Sequence, residues 1–249
     1  MPNVRRARVP RLHLRGGLVS AKTETYVPAL GLPALTRFYD LVVRLTLPEF
    51  EQKKRLADQA LRELPAGARV LDLGSGTGTL TLLLKQRAPG ADVAGLDGDP
   101  EVIAVARAKA QRAGFELDLR QGLSWEPPFE EGSFDRVVSS LFFHHLRTED
   151  KRRTLAKAHD LLRPGGELHV LDWGEARSAL TRLAFLPVQV LDGFGPTRDN
   201  VRGRLLPLFE EAGFASVEET GRRNTLFGTL SLYRAVRPGS ASPCTGRFE

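Results

Sequence analysis

Cysteine is almost missing from this 249-residue chain; Cys244 is the only one. An intrachain disulfide is therefore excluded, and so is a metal centre built on thiolates. This usage fits a reducing compartment, and the cytoplasm is the expected location. Long apolar runs are lacking as well. None reaches the roughly 20 residues that a membrane-spanning helix needs, so an integral membrane protein is not expected. Acids are absent before Glu24, while Arg5, Arg6, Arg8, Arg11, Arg15 and Lys22 all lie in residues 1–22. Those six account for the whole formal net charge of +6, which leaves the body electrically neutral. The high pI therefore does not argue for a nucleic-acid partner. Residues 1–22 read as a disordered tail; their Arg-rich, acid-free composition without a secretory apolar core leaves an organelle address or a binding arm open. No internal repeat or linker interrupts the chain before the Pro/Gly/Ser-rich residues 238–249, which read as a flexible tail. Residues 23–237 are accordingly taken as one domain, within a chain long enough to bury roughly 70–75% of its unfolded surface.

What is present is a strong α/β pattern centred on Val70-Leu-Asp-Leu-Gly-Ser-Gly-Thr-Gly78. An apolar run ends in three alternating glycines, and a helical stretch, 79–87, follows. Glycine permits positive φ and close approach of a ligand to the main chain. The helix start offers unpaired N–H groups that suit an anionic ligand group. A dinucleotide fingerprint would need its third glycine where Thr79 stands, and a phosphate-binding P-loop would need Gly-Lys-Ser/Thr where Thr79, Leu80 and Thr81 stand. Neither fits. A second strand ends at Asp97, where a carboxylate can accept hydrogen bonds from two vicinal ribose hydroxyls; the alternative is a helix cap, a role that Asp99 fills before Pro100.

The pattern D-x-G-x-G-x-G from Asp72 to Gly78 resembles the first motif of class I methyltransferases that use S-adenosylmethionine. The resemblance continues through Gly122 to Asp135, through the histidine-bearing loop after the strand at 135–140, and through Leu162-Arg-Pro-Gly-Gly166. It is nearest to the ubiquinone/menaquinone-type (methyltransferase type 11) branch and covers about two-fifths of the chain. It implies a three-layer, doubly wound, seven-stranded and mostly parallel sheet whose last strand is antiparallel, the Rossmann-like methyltransferase fold. It also implies methyl transfer from S-adenosylmethionine to a small-molecule acceptor, lipophilic or quinone-like, with no metal and no stable nucleic-acid partner. A nucleic-acid methyltransferase and a non-catalytic protein of the same fold are the competing readings. By the same resemblance the cofactor would meet Tyr39, Asp72, Gly74, Ser75, Gly76, Thr77, Gly78, Asp97, Gly98, Leu123, Ser124, Ser140 and Leu141. At Leu123 the family has an acid that faces adenine; here adenine would rely on stacking and main-chain contacts, with Ser124 or Trp125 assisting.

Helices over 33–64 and the weakly patterned 173–200 would cover the acceptor. Phe142, Phe143, Trp173, Phe185 and Phe194 would line its pocket or serve as core. Tyr39 would cover the methionine end or pack beside Phe38. An oxygen or carbon acceptor needs a proton removed, and His144 and His145 are the titratable pair on the right loop. One of them would act as base, or would instead hold the loop by a hydrogen bond. Short helices are expected around 180–191, broken at Pro187, and over 199–212, bent at Pro207, with a turn at 193–196 between them.

Overall fold

The computed structural model describes residues 49–239. The expectations for residues 1–48, Tyr39 among them, and for Cys244 lie outside the described residues. In chain order the elements are α1 (Glu49–Ala60), β1 (Arg69–Leu73), α2 (Thr79–Arg87), β2 (Asp92–Asp97), α3 (Pro100–Arg112), β3 (Asp118–Gln121) and β4 (Phe134–Ser140). A 3-10 turn at Phe143–His145 leads into α4 (Thr148–Leu161), β5 (Leu162–Trp173), α5 (Ala179–Ala184), α6 (Leu186–Asp192), α7 (Phe194–Val201), α8 (Leu205–Glu211), β6 (Ala215–Thr225) and β7 (Gly228–Val236).

One seven-stranded sheet results, in the order β3-β2-β1-β4-β5-β7-β6. β1 to β5 run parallel to their neighbours, and β7 enters antiparallel to both β5 and β6. This is the expected topology. Strand alternation divides the apolar residues between two faces. Leu71, Val137 and Val170 pack with Leu155 and Phe209 of α4 and α8 on one face. Val70, Val138 and Leu171 pack with Leu56, Leu84 and Val188 of α1, α2 and α6 on the other. A sheet covered on both faces explains the near-continuous apolar runs of β1 and β4.

The helix over 180–191 is interrupted as expected, with Pro187 in the first turn of α6. Proline lacks the N–H that a first turn leaves unpaired anyway, so it starts helices readily. Two local expectations need correction. The expected turn at 193–196 is the start of α7, and the 199–212 helix is divided at Gly203 (φ +69) instead of bending at Pro207. Thr148 is the first residue of α4, and its hydroxyl donates to Asp199 Oδ2 at 2.6 Å. The Pro-Gly-Gly segment after α4 lies within β5, where Gly165 N–H donates to Arg237 O and Arg237 N–H to Gly166 O.

Candidate functional site

The connections from β1 run to β2 on one side and, after β3, to β4 on the other. Strand order therefore reverses at β1, and ligands of such sheets sit beyond the carboxyl ends of the strands at that reversal. The glycine turn lies there. Gly74, Gly76 and Gly78 have φ of +74°, +51° and +71°. The N–H groups of Gly74 and Ser75 both donate to Leu96 O at 2.9 Å, which pins the turn to the end of β2. A Cβ at Gly74 would lie 2.3 Å from the Phe142 ring, so this position is glycine for packing. A Cβ at Gly76 would meet nothing within 4 Å. That backbone faces open space, as a ligand cradle requires.

Asp97 ends β2 as expected. Its Oδ2 accepts from Gly76 N–H at 2.8 Å, and its Oδ1 from Asp99 N–H at 3.0 Å. The cap of α3 belongs to Asp99, whose Oδ1 accepts from Glu101 N–H at 2.8 Å. The Asp97 carboxylate is thus aimed at the glycine turn. Gly98 beside it is exposed. Asp72 is fully buried, and Thr81 of α2 donates to its Oδ2 at 2.6 Å, which ties β1 to the first turn of α2. Burial pushes this carboxyl up to about 6, against the Thr81 hydrogen bond and the Lys53 charge. Thr77 is exposed, and Lys109 Nζ donates to its hydroxyl at 3.2 Å and to that of Thr79 at 2.8 Å, latching α3 onto the turn. Two buried hydroxyls, of Ser75 and Ser140, have no protein partner.

On the expected adenine side, the Ser124 hydroxyl lies 2.7 Å from Thr154 Oγ1, and the Trp125 ring lies under the Arg153 guanidinium at 5.1 Å, so both side chains are tied to α4. Leu123 stays 45% exposed.

Ser140 ends β4, and Leu141 leaves it with φ +54°, its N–H donating to Leu171 O at 2.8 Å. A branched side chain in the left-handed region is a strained conformation that surrounding contacts must hold. Asp172 at the end of β5 supplies that hold. Its Oδ2 accepts from the N–H groups of Phe142 (3.1 Å) and Phe143 (2.8 Å). Its Oδ1 accepts from Trp173 N–H (2.7 Å) and Asn200 Nδ2 (3.0 Å) and lies 2.8 Å from His144 Nδ1. Burial disfavours both charges here. The mutual attraction and hydrogen bonding outweigh it, holding Asp172 below the usual carboxylate range and His144 above the usual histidine value. His145 is exposed, with its ring 4.0 Å from that of His144, whose charge pushes it well down. One of the pair is therefore a buried imidazole anchored by a carboxylate and the other an exposed imidazole whose protonation is disfavoured.

Of the five aromatic candidates, Phe143, Trp173 and Phe185 are core, Phe142 covers Gly74, and Phe194 is 55% exposed. Sequence reasoning missed Asp172, Asn200, Lys151 and Asp192. The available signal was Asp172 itself: an acid closing the apolar run Leu168-His-Val-Leu needs a buried partner, and two histidines stood one strand away.

Sheet order and the glycine turn define an α/β protein of the Rossmann-like methyltransferase class. The comparisons agree. Residues 70–166 match the family model described as a methyltransferase domain. The demethylmenaquinone methyltransferase of Thermus thermophilus is 39% identical over 137 residues, covering 54% of this chain and 60% of the relative. That of Deinococcus radiodurans is 31% identical over 213 residues, covering 84% and 87%. Among solved structures, the YcgJ protein of Bacillus subtilis superposes with a TM-score of 0.61 at 17% identity, covering 76% of this chain and 99% of that one, and shows the same fold. The chain belongs to the class I S-adenosylmethionine-dependent methyltransferases, in the branch with these quinone-biosynthetic relatives.

Proposed function

We propose that this protein transfers the methyl group of S-adenosylmethionine to a small, lipophilic, quinone-like acceptor. The observation that carries the cofactor reading is the pairing of Asp97 with the Gly76 N–H beside open backbone. A carboxylate and a bare turn held 2.8 Å apart offer acceptors for ribose hydroxyls and N–H groups for a carboxylate in one place. The unpaired Ser75 and Ser140 hydroxyls fit a polar ligand at the same strand ends. The bound cofactor supplies an activated methyl; the chain's task is to hold the two reactants in line and keep water out.

The acceptor side falls to the 3-10 turn and the helices of 173–200. Asp172 fixes His144 and the N–H groups of Phe142 and Phe143. With His144 anchored, His145 is the exposed imidazole able to take a proton from the acceptor. The quinone-like acceptor is supported by the two relatives named demethylmenaquinone methyltransferase. Among the described residues no helix is long and apolar enough to cross a membrane, so a lipophilic acceptor would be met at a surface or from solution.

Calorimetric titration with S-adenosylmethionine and S-adenosylhomocysteine tests the cofactor reading. One site per chain is expected, with Asp97→Ala weakening it at least tenfold while the fold melts as before (about 1.4 kcal/mol of lost binding,). No heat with either nucleoside, or an unchanged Asp97→Ala, would overturn it. For the acceptor, turnover of a demethylated quinol should fall on His145→Ala with little change in cofactor affinity.

A further inference from the structure

We propose that His144, His145 and Asp192 form a site for a first-row divalent transition-metal ion, against the expectation of no metal that the family resemblance carried. One donor atom from each of the three lies within 4.8 Å of the others. Asp192 ends α6 and the two histidines form the 3-10 turn, so the site joins the 173–200 helices to the loop after β4.

Two features of the geometry point to a cation. First, His144 is oriented as metal-bound histidines are: Nδ1 faces the fully buried Asp172 carboxylate at 2.8 Å, which leaves Nε2 to face Asp192. Second, that Nε2 lies 3.7 Å from Asp192 Oδ2, beyond hydrogen-bond length. Donors bound to a tetrahedral ion at about 2.0–2.1 Å stand roughly 3.4 Å apart, so the pair needs to close by only a few tenths of an ångström. His145 is exposed, so its wider separation can close by side-chain rotation.

Two imidazoles and one carboxylate suit Zn²⁺, Fe²⁺, Co²⁺ or Mn²⁺ rather than Mg²⁺ or Ca²⁺, which prefer all-oxygen shells. Three protein ligands leave a coordination position for an acceptor oxygen, whose proton would then pass to solvent because the ion stabilises the oxyanion. This use of the ion rests on the methyl-transfer reading; its binding does not. It also competes with His145 as base, since one lone pair cannot serve both.

The test is calorimetric titration of the chelator-treated full-length protein with Zn²⁺, without S-adenosylmethionine, followed by Co²⁺ and its visible absorption. One ion per chain is expected, with a higher melting temperature on binding. His145→Ala and Asp192→Asn should each weaken binding at least about tenfold, and Cys244→Ser should leave it unchanged. Absence of stoichiometric binding, or an affinity unchanged from the parent in the two ligand variants, would overturn the site. Cofactor binding by the same samples is scored separately, so failure of one reading does not mask the other.

Discussion

Asp172 Oδ1 and His144 Nδ1 stand 2.8 Å apart in the protein interior, and the same carboxylate holds two main-chain N–H groups of the loop that carries the histidine. Every lone pair of Asp172 faces a donor, so the side chain works only as an anion. Asp172→Asn would turn an amide N–H₂ toward groups that are themselves donors. The expected cost is about 3 kcal/mol of folding stability, typical of a buried pair losing one member. Urea denaturation measures it. A change below about 1 kcal/mol would mean that the loop is held by something else.

Two glycines of the turn, Gly74 and Gly76, should respond differently to the same substitution. Gly74→Ala drives a methyl into the Phe142 ring and should destabilise by about 1–3 kcal/mol from overpacking, with about 1–2 more for its positive φ. Gly76→Ala carries the backbone strain alone, because its Cβ points into open space. It should lose only that about 1–2 kcal/mol of stability yet bind S-adenosylmethionine at least about tenfold more weakly. If both variants keep full affinity, the open face of the turn is not the cofactor cradle.

Much of this was legible in the sequence where local pattern and tertiary role coincide. The Val70–Gly78 run, Asp97 and the apolar strands announce themselves because central parallel strands are uniformly apolar and the turn between them needs glycine. The break at Pro187 was legible because proline can open a helix while it ends the one before, but the boundary between α7 and α8 falls at Gly203 and not at Pro207, where the sequence put it. The role of Asp172 was only partly legible for another reason. Its meaning depends on five donors drawn from β5, the 3-10 turn and α7, and only folding brings these together.

Leu123 offers a gain of function. It is 45% exposed beside the cofactor crevice, at the position where the family resemblance places an adenine-facing acid. Leu123→Asp would provide an acceptor for the exocyclic amine at little cost to the core. One charge-assisted hydrogen bond is worth about 1.5 kcal/mol, so S-adenosylhomocysteine should bind up to about tenfold more tightly. An analogue lacking the amine should show no such gain. Equal tightening of both would point to general electrostatics instead of adenine recognition.

A second contribution to acid stability, separate from that of the histidine pair, should come from His169 and Glu167 of β5. His169 is fully buried, with Nδ1 3.0 Å from Gln59 Nε2 and Nε2 3.0 Å from Glu167 Oε2. Gln59 Oε1 accepts from Thr220, so its amide N–H₂ must donate to Nδ1, and Nε2 then carries the proton shared with Glu167. Burial holds His169 below its ordinary value of 6.5, outweighing the attraction of Glu167. Glu167 is itself lowered from 4.5 to about 2, first by the His169 hydrogen bond and also by Arg234 and Arg136. Both shifts favour the deprotonated group in the folded state, so the unfolded chain binds more protons and stability falls with pH. The loss should begin near pH 6.5 through His169 and continue between about 4.5 and 2 through Glu167. His169→Gln should flatten the upper part of that profile in melting experiments from pH 7.5 to 5, while Glu167→Gln should flatten the lower part. A His169→Gln variant whose pH profile between 7.5 and 5 parallels that of the parent would show that His169 protonates as easily folded as unfolded.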